Sequence, residues 1–231
     1  MNRLTVSLFA LALTSACAVP YRSIALPVAL QTAPSNDVIE VTGKKNRTKV
    51  FDFEIRQVDA GRTRGLAINI GPVNLMDKFT QQRKFTIERG GAPFIESVSC
   101  TSVNKDAKGS FIAYYRHTYT CTSPGGFELS VDQPASKEFN GKVKLGSVNL
   151  ELSSTRDFAD GTTSGLSPCG FHLRRDGRWL ATFEYYKQGK VYLAPDLTPD
   201  EHDAVLATVV SISSTGRWFQ LKPDGSASYG L

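Results

Sequence analysis

The sequence predicts a mainly β domain, α+β in class: an antiparallel barrel or sandwich of about twelve strands with one buried hydrophobic helix near the C-terminus. Three observations predict it. From Asp37 onward, short segments alternate apolar and polar residues, so each strand has one buried and one wet face. Turn-forming residues punctuate these segments at the close spacing of barrels and sandwiches. One stretch, "LTPDEHDAVLATVVSISSTG" (197–216), breaks the pattern with an apolar surface on every side.

In chain order, residues 1–18, "MNRLTVSLFALALTSACA", read as a signal peptide. Arg3 makes a positive start, Leu4 to Leu13 form a short apolar run, and small residues follow. The run is too short to cross a bilayer core, which takes roughly 20 apolar residues. "LTSAC" resembles the lipobox of bacterial lipoproteins, and that resemblance implies lipidation of Cys17. Ser15 and Ala16 fit it, whereas Thr14 stands where Leu is usual. Ordinary cleavage after Ala18 also fits, because Ala16 and Ala18 frame an A-x-A site. A non-acidic Ala18 after the cysteine resembles the outer-membrane sorting pattern of enterobacteria. The expected location is therefore the outer membrane, as a lipoprotein, with a periplasmic or secreted protein as the alternative. Residues 19–36 hold three prolines and little charge and read as a tether, with "SIALPVAL" apolar enough for an edge strand.

Residues 37–231 then read as one β-rich domain. Strands are expected at 38–43, 49–57, 64–71, 83–90, 94–103, 110–121, 125–132 and 141–154, the last broken or bulged at Gly146. "NKDAKG" (104–109) reads as a connection, and "STRDFADGTTSG" (154–165) as an exposed loop. "FHLRRDGRWLATFEYY" (171–186) is the clearest hairpin, because Asp176-Gly177 supplies the two left-handed positions of a tight turn. "GKVYLAP" (189–195) and "GRWFQL" (216–221) complete the set.

The helix, about 199–214, starts at Thr198 as N-cap, with Pro199 in its first position and Glu201 closing a capping box. Asp200, Glu201 and Asp203 place negative charge at the positive end of the helix dipole. Thr208, Ser211 and Ser213 are small enough to return their hydroxyls to the backbone. The order of these elements, above all the stretch 171–212, resembles the tubby-like superfamily, which includes LURP-one-related proteins and phospholipid scramblases. That resemblance implies a barrel of about twelve strands around a C-terminal hydrophobic helix. The chain departs from the family by continuing past the helix with "RWFQLKPDGSASYGL", and no phosphoinositide-binding motif is present to carry over.

Composition sets the remaining bounds. The net charge is +5, and the basic residues gather at turns, with Lys44, Lys45, Arg47, Arg174, Arg175 and Arg178 as candidates for contact with an anionic surface. Nucleic acid is not an expected partner outside the cytoplasm. Cys17 is either modified or removed, which leaves Cys100, Cys121 and Cys169; export favours oxidation, and Cys100–Cys121 is the expected disulfide because both lie in neighbouring strand segments. The three histidines, 117, 172 and 202, lack metal-ligand spacing, so no metal or cofactor is implied. "SVNK" (102–105) matches S-x-x-K without the companion motifs of that chemistry. The aromatic runs 111–119 and 183–187 suit a lipid or glycan groove, or the core. Two classes follow: a non-enzymatic envelope lipoprotein that binds a lipid, glycan or protein, or a secreted or periplasmic hydrolase whose site has no local motif.

Overall fold

The computed structural model describes residues 23–37, 39–41, 47–59, 63–70, 73–108, 113–134, 138–163, 168–184 and 189–214. Among the described residues, fourteen antiparallel strands form one sheet. They are β1 (Ser35–Asp37), β2 (Ile39–Val41), β3 (Arg47–Val50), β4 (Phe53–Asp59), β5 (Thr63–Ile70), β6 (Val73–Arg89) and β7 (Ala92–Lys108). Then come β8 (Ala113–Thr122), β9 (Glu128–Pro134), β10 (Asn140–Leu145), β11 (Val148–Thr155), β12 (Gly170–Arg175), β13 (Arg178–Glu184) and β14 (Lys190–Leu193). The helix α1 spans Pro199–Ser213. The sheet runs β1-β14-β13-β12-β11-β10-β9-β8-β7-β6-β4-β3-β2, and β5 pairs with the first half of β6. Its ends, β1 and β2, do not pair with each other, but only Val38 separates them along the chain. The same short stretch thus borders both ends of the sheet.

The fold is mainly β with one helix near the C-terminus, as the alternation predicts. The strand count exceeds about twelve because two expected strands are hairpins and β1 adds a strand at 35–37. Segment 49–57 reverses at Phe51-Asp52, and 141–154 reverses at Gly146-Ser147. "NKDAK" is no connection: β7 continues to Lys108, and residues 73–82 belong to β6. Polar side chains hid the end of β7, and 73–82 lacks a clean alternation, yet the backbone in both is paired on β6, β7 and β8 regardless of side-chain polarity. Asp176 and Gly177 take φ of 51° and 78°, the pair of left-handed positions that the β12–β13 turn requires. The expected strand 216–221 lies outside the described residues.

The sheet wraps α1. The helix touches β3 and β4 on one side and β10, β11 and β13 on the other. Ala204 through Ile212 are all buried. Side chains facing it include Leu150, Leu152, Phe171, Leu173 and Phe183, with the Phe171 and Phe183 rings 5.0 Å apart. The capping box forms as expected between Thr198 and Glu201. Thr208 returns its hydroxyl to the Ala204 carbonyl at 2.7 Å, whereas the Ser211 and Ser213 hydroxyls find no partner. The far end of the helix carries no basic residue of its own. The sheet supplies the donors: Tyr119 Oη donates to the Ser211 carbonyl at 3.1 Å, and the Arg83 guanidinium to that of Ser214. Terminal carbonyls that the helix cannot satisfy are thereby met, one of them by a cation at the negative dipole end.

Cys100 and Cys121 stand directly opposite each other on β7 and β8 and form a disulfide. Cys169 is fully buried on the outer side of the sheet. There it meets residues 23–34, and the expected tether needs correction. From Ser23 this segment is an arm docked on the domain: Ile24 bridges to Phe158, and Leu30, in a short 3-10 turn against β13, is fully buried. Composition alone shows prolines and little charge; it does not show that Ile24, Phe158 and Cys169 share a small apolar cluster of their own.

Candidate functional site

Three polar constellations stand out among the described residues. The first surrounds the start of α1. Glu201 is 3 % exposed, and its carboxylate accepts from Arg178 Nη2 at 2.6 Å, Arg175 Nη1 at 3.3 Å and the Thr198 amide at 3.1 Å. The Arg178 hydrogen bond is the chief reason its pKa is held down to about 2, against the opposing effect of burial. Arg178 also reaches Asp196, and Arg174 lies near Glu151 with its guanidinium stacked 4.9 Å over the Trp179 ring. The three arginines read from sequence as contacts for an anionic surface are therefore engaged inside the domain. Their hairpin is pinned to the helix by the same glutamate that caps it. Lys44 and Lys45, like Cys17, lie outside the described residues; Arg47 opens β3.

The second lies inside the sheet, toward the far end of the helix. Ser102 Oγ and His117 Nε2 are 3.1 Å apart, and both residues are buried. Burial draws the His117 pKa down to about 4, with the charge of Asp132 opposing weakly. This is a nucleophile–base distance, but the orienting acid is misplaced. Asp132 pairs with Thr118, so its side chain shares the outer face with Arg116, to which it is bound through both oxygens at 2.8 Å. His117 points to the inner face with Tyr119, whose hydroxyl holds the helix end and whose pKa is raised by burial.

The third is open to solvent. On the outer face, Ser153, His172, Thr182, Tyr192 and Ser35 form one row across β11, β12, β13, β14 and β1. The arm crosses this face and buries Thr182 and Glu184 completely. Between the arm and the strands runs an open groove of about 650 Å³, lined by Ala25 to Ala29 on one side and by Thr155, Asp157, His172 and Trp179 on the other. Val28 is 84 % exposed. His172 Nδ1 lies 2.7 Å from Thr182 Oγ1, and its ring meets Trp179 edge-on at 5.1 Å. Burial, then the Arg174 charge, lowers the His172 pKa to about 4, against a pull from Asp157. Among the described residues, the Asp157 carboxylate, the Trp179 indole N–H and His172 Nε2 have no partner.

Gly170 makes the arm's close approach feasible. A Cβ there would lie 2.4 Å from the Phe183 carbonyl oxygen and 3.0 Å from Ile24 Cδ1. Sequence reasoning did not single out Trp179 or Gly170. The Asp176-Gly177 turn sets Trp179 opposite Arg174, but a register shift between Leu173 and Arg174 intervenes before His172, so the contact between the Trp179 and His172 rings is not written in the turn. Of the aromatic runs, Tyr119 and Phe183 are core residues. No helix among the described residues is long and apolar enough to cross a membrane, and none of their acidic, histidine or cysteine groupings could hold a metal ion.

No family model, curated protein or solved structure matches this chain.

Proposed function

We propose that this is an exported cell-envelope lipoprotein, anchored in the outer membrane through Cys17, whose domain is a non-enzymatic binding module. The groove under the arm carries the reading: it is open, amphipathic, and walled in part by Asp157, Trp179 and His172, whose carboxylate, indole N–H and Nε2 have no partner among the described residues. Its position suits an anchored protein. Only five residues separate Cys17 from the docked arm at Ser23, a reach of at most about 20 Å from the bilayer surface at about 3.5 Å per residue. The anchor would therefore present the outer face close to the membrane. Kinship with the tubby-like superfamily is part of the proposal and rests on the order of elements alone. Membrane fractionation tests the anchor: Cys17→Ala should move the protein from the membrane to the soluble fraction, and an unchanged distribution would sink it.

The Ser102–His117 contact favours a second reading, a periplasmic or secreted hydrolase. It is the weaker one, because both groups are buried and Asp132 faces the other side of the sheet. A fluorophosphonate probe that labels the folded protein, with labelling lost in Ser102→Ala, would establish it. The binding reading expects no labelling.

A further inference from the structure

We propose that the groove between the arm and β11–β13 is a subsite for a neutral glycan, whose hydroxyls are read by Asp157, His172 and the Trp179 N–H while its apolar ring faces lie along the arm. This deepens the binding reading and rests on it.

The argument is one of matching chemistry. One wall, from Ala25 to Ala29, is apolar and includes Val28, 84 % exposed. The other offers an exposed carboxylate, an indole N–H and an imidazole. Nδ1 of that ring is committed to Thr182, so Nε2 is left with the complementary role, donor or acceptor according to tautomer. A pKa near 4 keeps the ring neutral at ordinary pH. An acyl chain would fit the arm but would strip water from Asp157 and His172 without replacing it, which is costly. An anionic headgroup would meet the Asp157 charge, and Arg174, whose charge acts on His172, is stacked on Trp179 and beside Glu151. An added peptide strand needs a free sheet edge, whereas the floor here is a sheet face with β12 paired on both sides. A pyranose is uncharged and amphipathic, with a C–H face and a rim of hydroxyls that both donate and accept. It matches an apolar wall opposite a mixed polar one.

Trp179 is its own reporter. The chain has two tryptophans, Trp179 and Trp218, so Trp218→Phe isolates the signal. The full chain carrying Cys17→Ala and Trp218→Phe would be titrated with cellotetraose, maltotetraose and chitotetraose. In parallel it would be mixed with phosphatidylethanolamine–phosphatidylglycerol vesicles. We expect a saturable change in Trp179 fluorescence with at least one oligosaccharide, repeated by calorimetry on the chain retaining Trp218. Asp157→Ala should weaken it about tenfold or more while leaving the melt unchanged, since no bond within the domain is lost with that carboxylate. A folded protein that answers none of the three sugars overturns the glycan assignment. If vesicles alone give the change, the ligand is a lipid surface and only the binding reading stands. Silence toward all probes together with fluorophosphonate labelling of Ser102 overturns both.

Discussion

β11, β12 and β13 have two faces, and the contrast between them carries the functional argument. Inward, Leu150, Leu152, Phe171, Leu173 and Phe183 close on the helix with no room for solvent. Outward, the same strands carry Ser153, His172, Thr182 and Glu184, and a single apolar arm covers only part of them. Each face holds a histidine shifted by burial to a pKa near 4: His117 within, His172 without. A perturbed histidine is therefore no mark of function by itself. What separates the two is that groups near His172 are open to solvent and uncommitted, while His117 is enclosed.

The inner face should fail first and most completely. Leu206 is fully buried in α1. Leu206→Asp would place a carboxylate there without a partner, at a cost of several kcal/mol, against a typical net stability of about 5–15 kcal/mol. Loss of the cooperative thermal transition is expected. A melt near that of the parent would contradict a buried helix.

Acid should be the next strongest insult, and His117 and Glu201 answer it in different pH ranges. An unfolded histidine takes up a proton near its ordinary pKa of 6.5, whereas folded His117 resists to about 4. Across that window the unfolded state binds more protons, so stability is full above pH 6.5 and falls as pH drops toward 4. The loss from His117 alone is about 3 kcal/mol. Glu201 has the other kind of shift, a carboxylate held down to about 2 from an ordinary 4.5, and its contribution disappears between those values. Denaturant melts against pH should therefore show two successive losses. His117→Gln should shrink the upper one; an unaltered profile would mean the ring is not held neutral inside.

Glu201 joins the faces at one end, since it caps the helix and anchors the β12–β13 hairpin. Glu201→Gln keeps the shape but removes the charge that Arg175 and Arg178 share. Both arginines are more than a third exposed, at 34 % and 40 %, so water offsets part of the loss. A decrease of about 2 kcal/mol, or about 4–8 °C in Tm, is expected by calorimetry. Little change would show that the capping bonds outweigh the ion pairs.

These elements were not equally legible in the sequence. The capping box, the Asp176-Gly177 turn and the alternation of β9 to β13 depend on residues close together, so their chemistry is written locally. The Cys100–Cys121 pair follows once two neighbouring strands are recognised. The groove is different: it joins residues 25–29 to residues 155–179, and nothing at either place names the other. Glu201 shows the same limit in one residue. Its place in the capping box can be read from Thr198 three positions earlier, but its bonds to Arg175 and Arg178 appear only when the hairpin folds over the helix start. Long polar strands were missed for a simpler reason, that side-chain pattern reports burial and backbone pairing does not require it.

Gly170→Ala is the gentlest test and the most specific to the outer face. The new methyl would collide with the Phe183 carbonyl oxygen, which is backbone and yields little, and with Ile24 Cδ1, which belongs to the arm. Relief comes most readily by lifting Ile24, because the arm is held by a small cluster while β13 is paired on both sides. A modest loss of about 1–2 kcal/mol in the global melt is expected, with a severalfold faster protease cut within residues 23–34 and a core that still melts cooperatively. The groove should suffer with the arm, so any ligand response of Trp179 should weaken in parallel. If the arm stays as resistant as in the parent while the core melts earlier, the methyl has displaced β13 instead. The two faces would then be more tightly coupled than the division into core and covering arm implies.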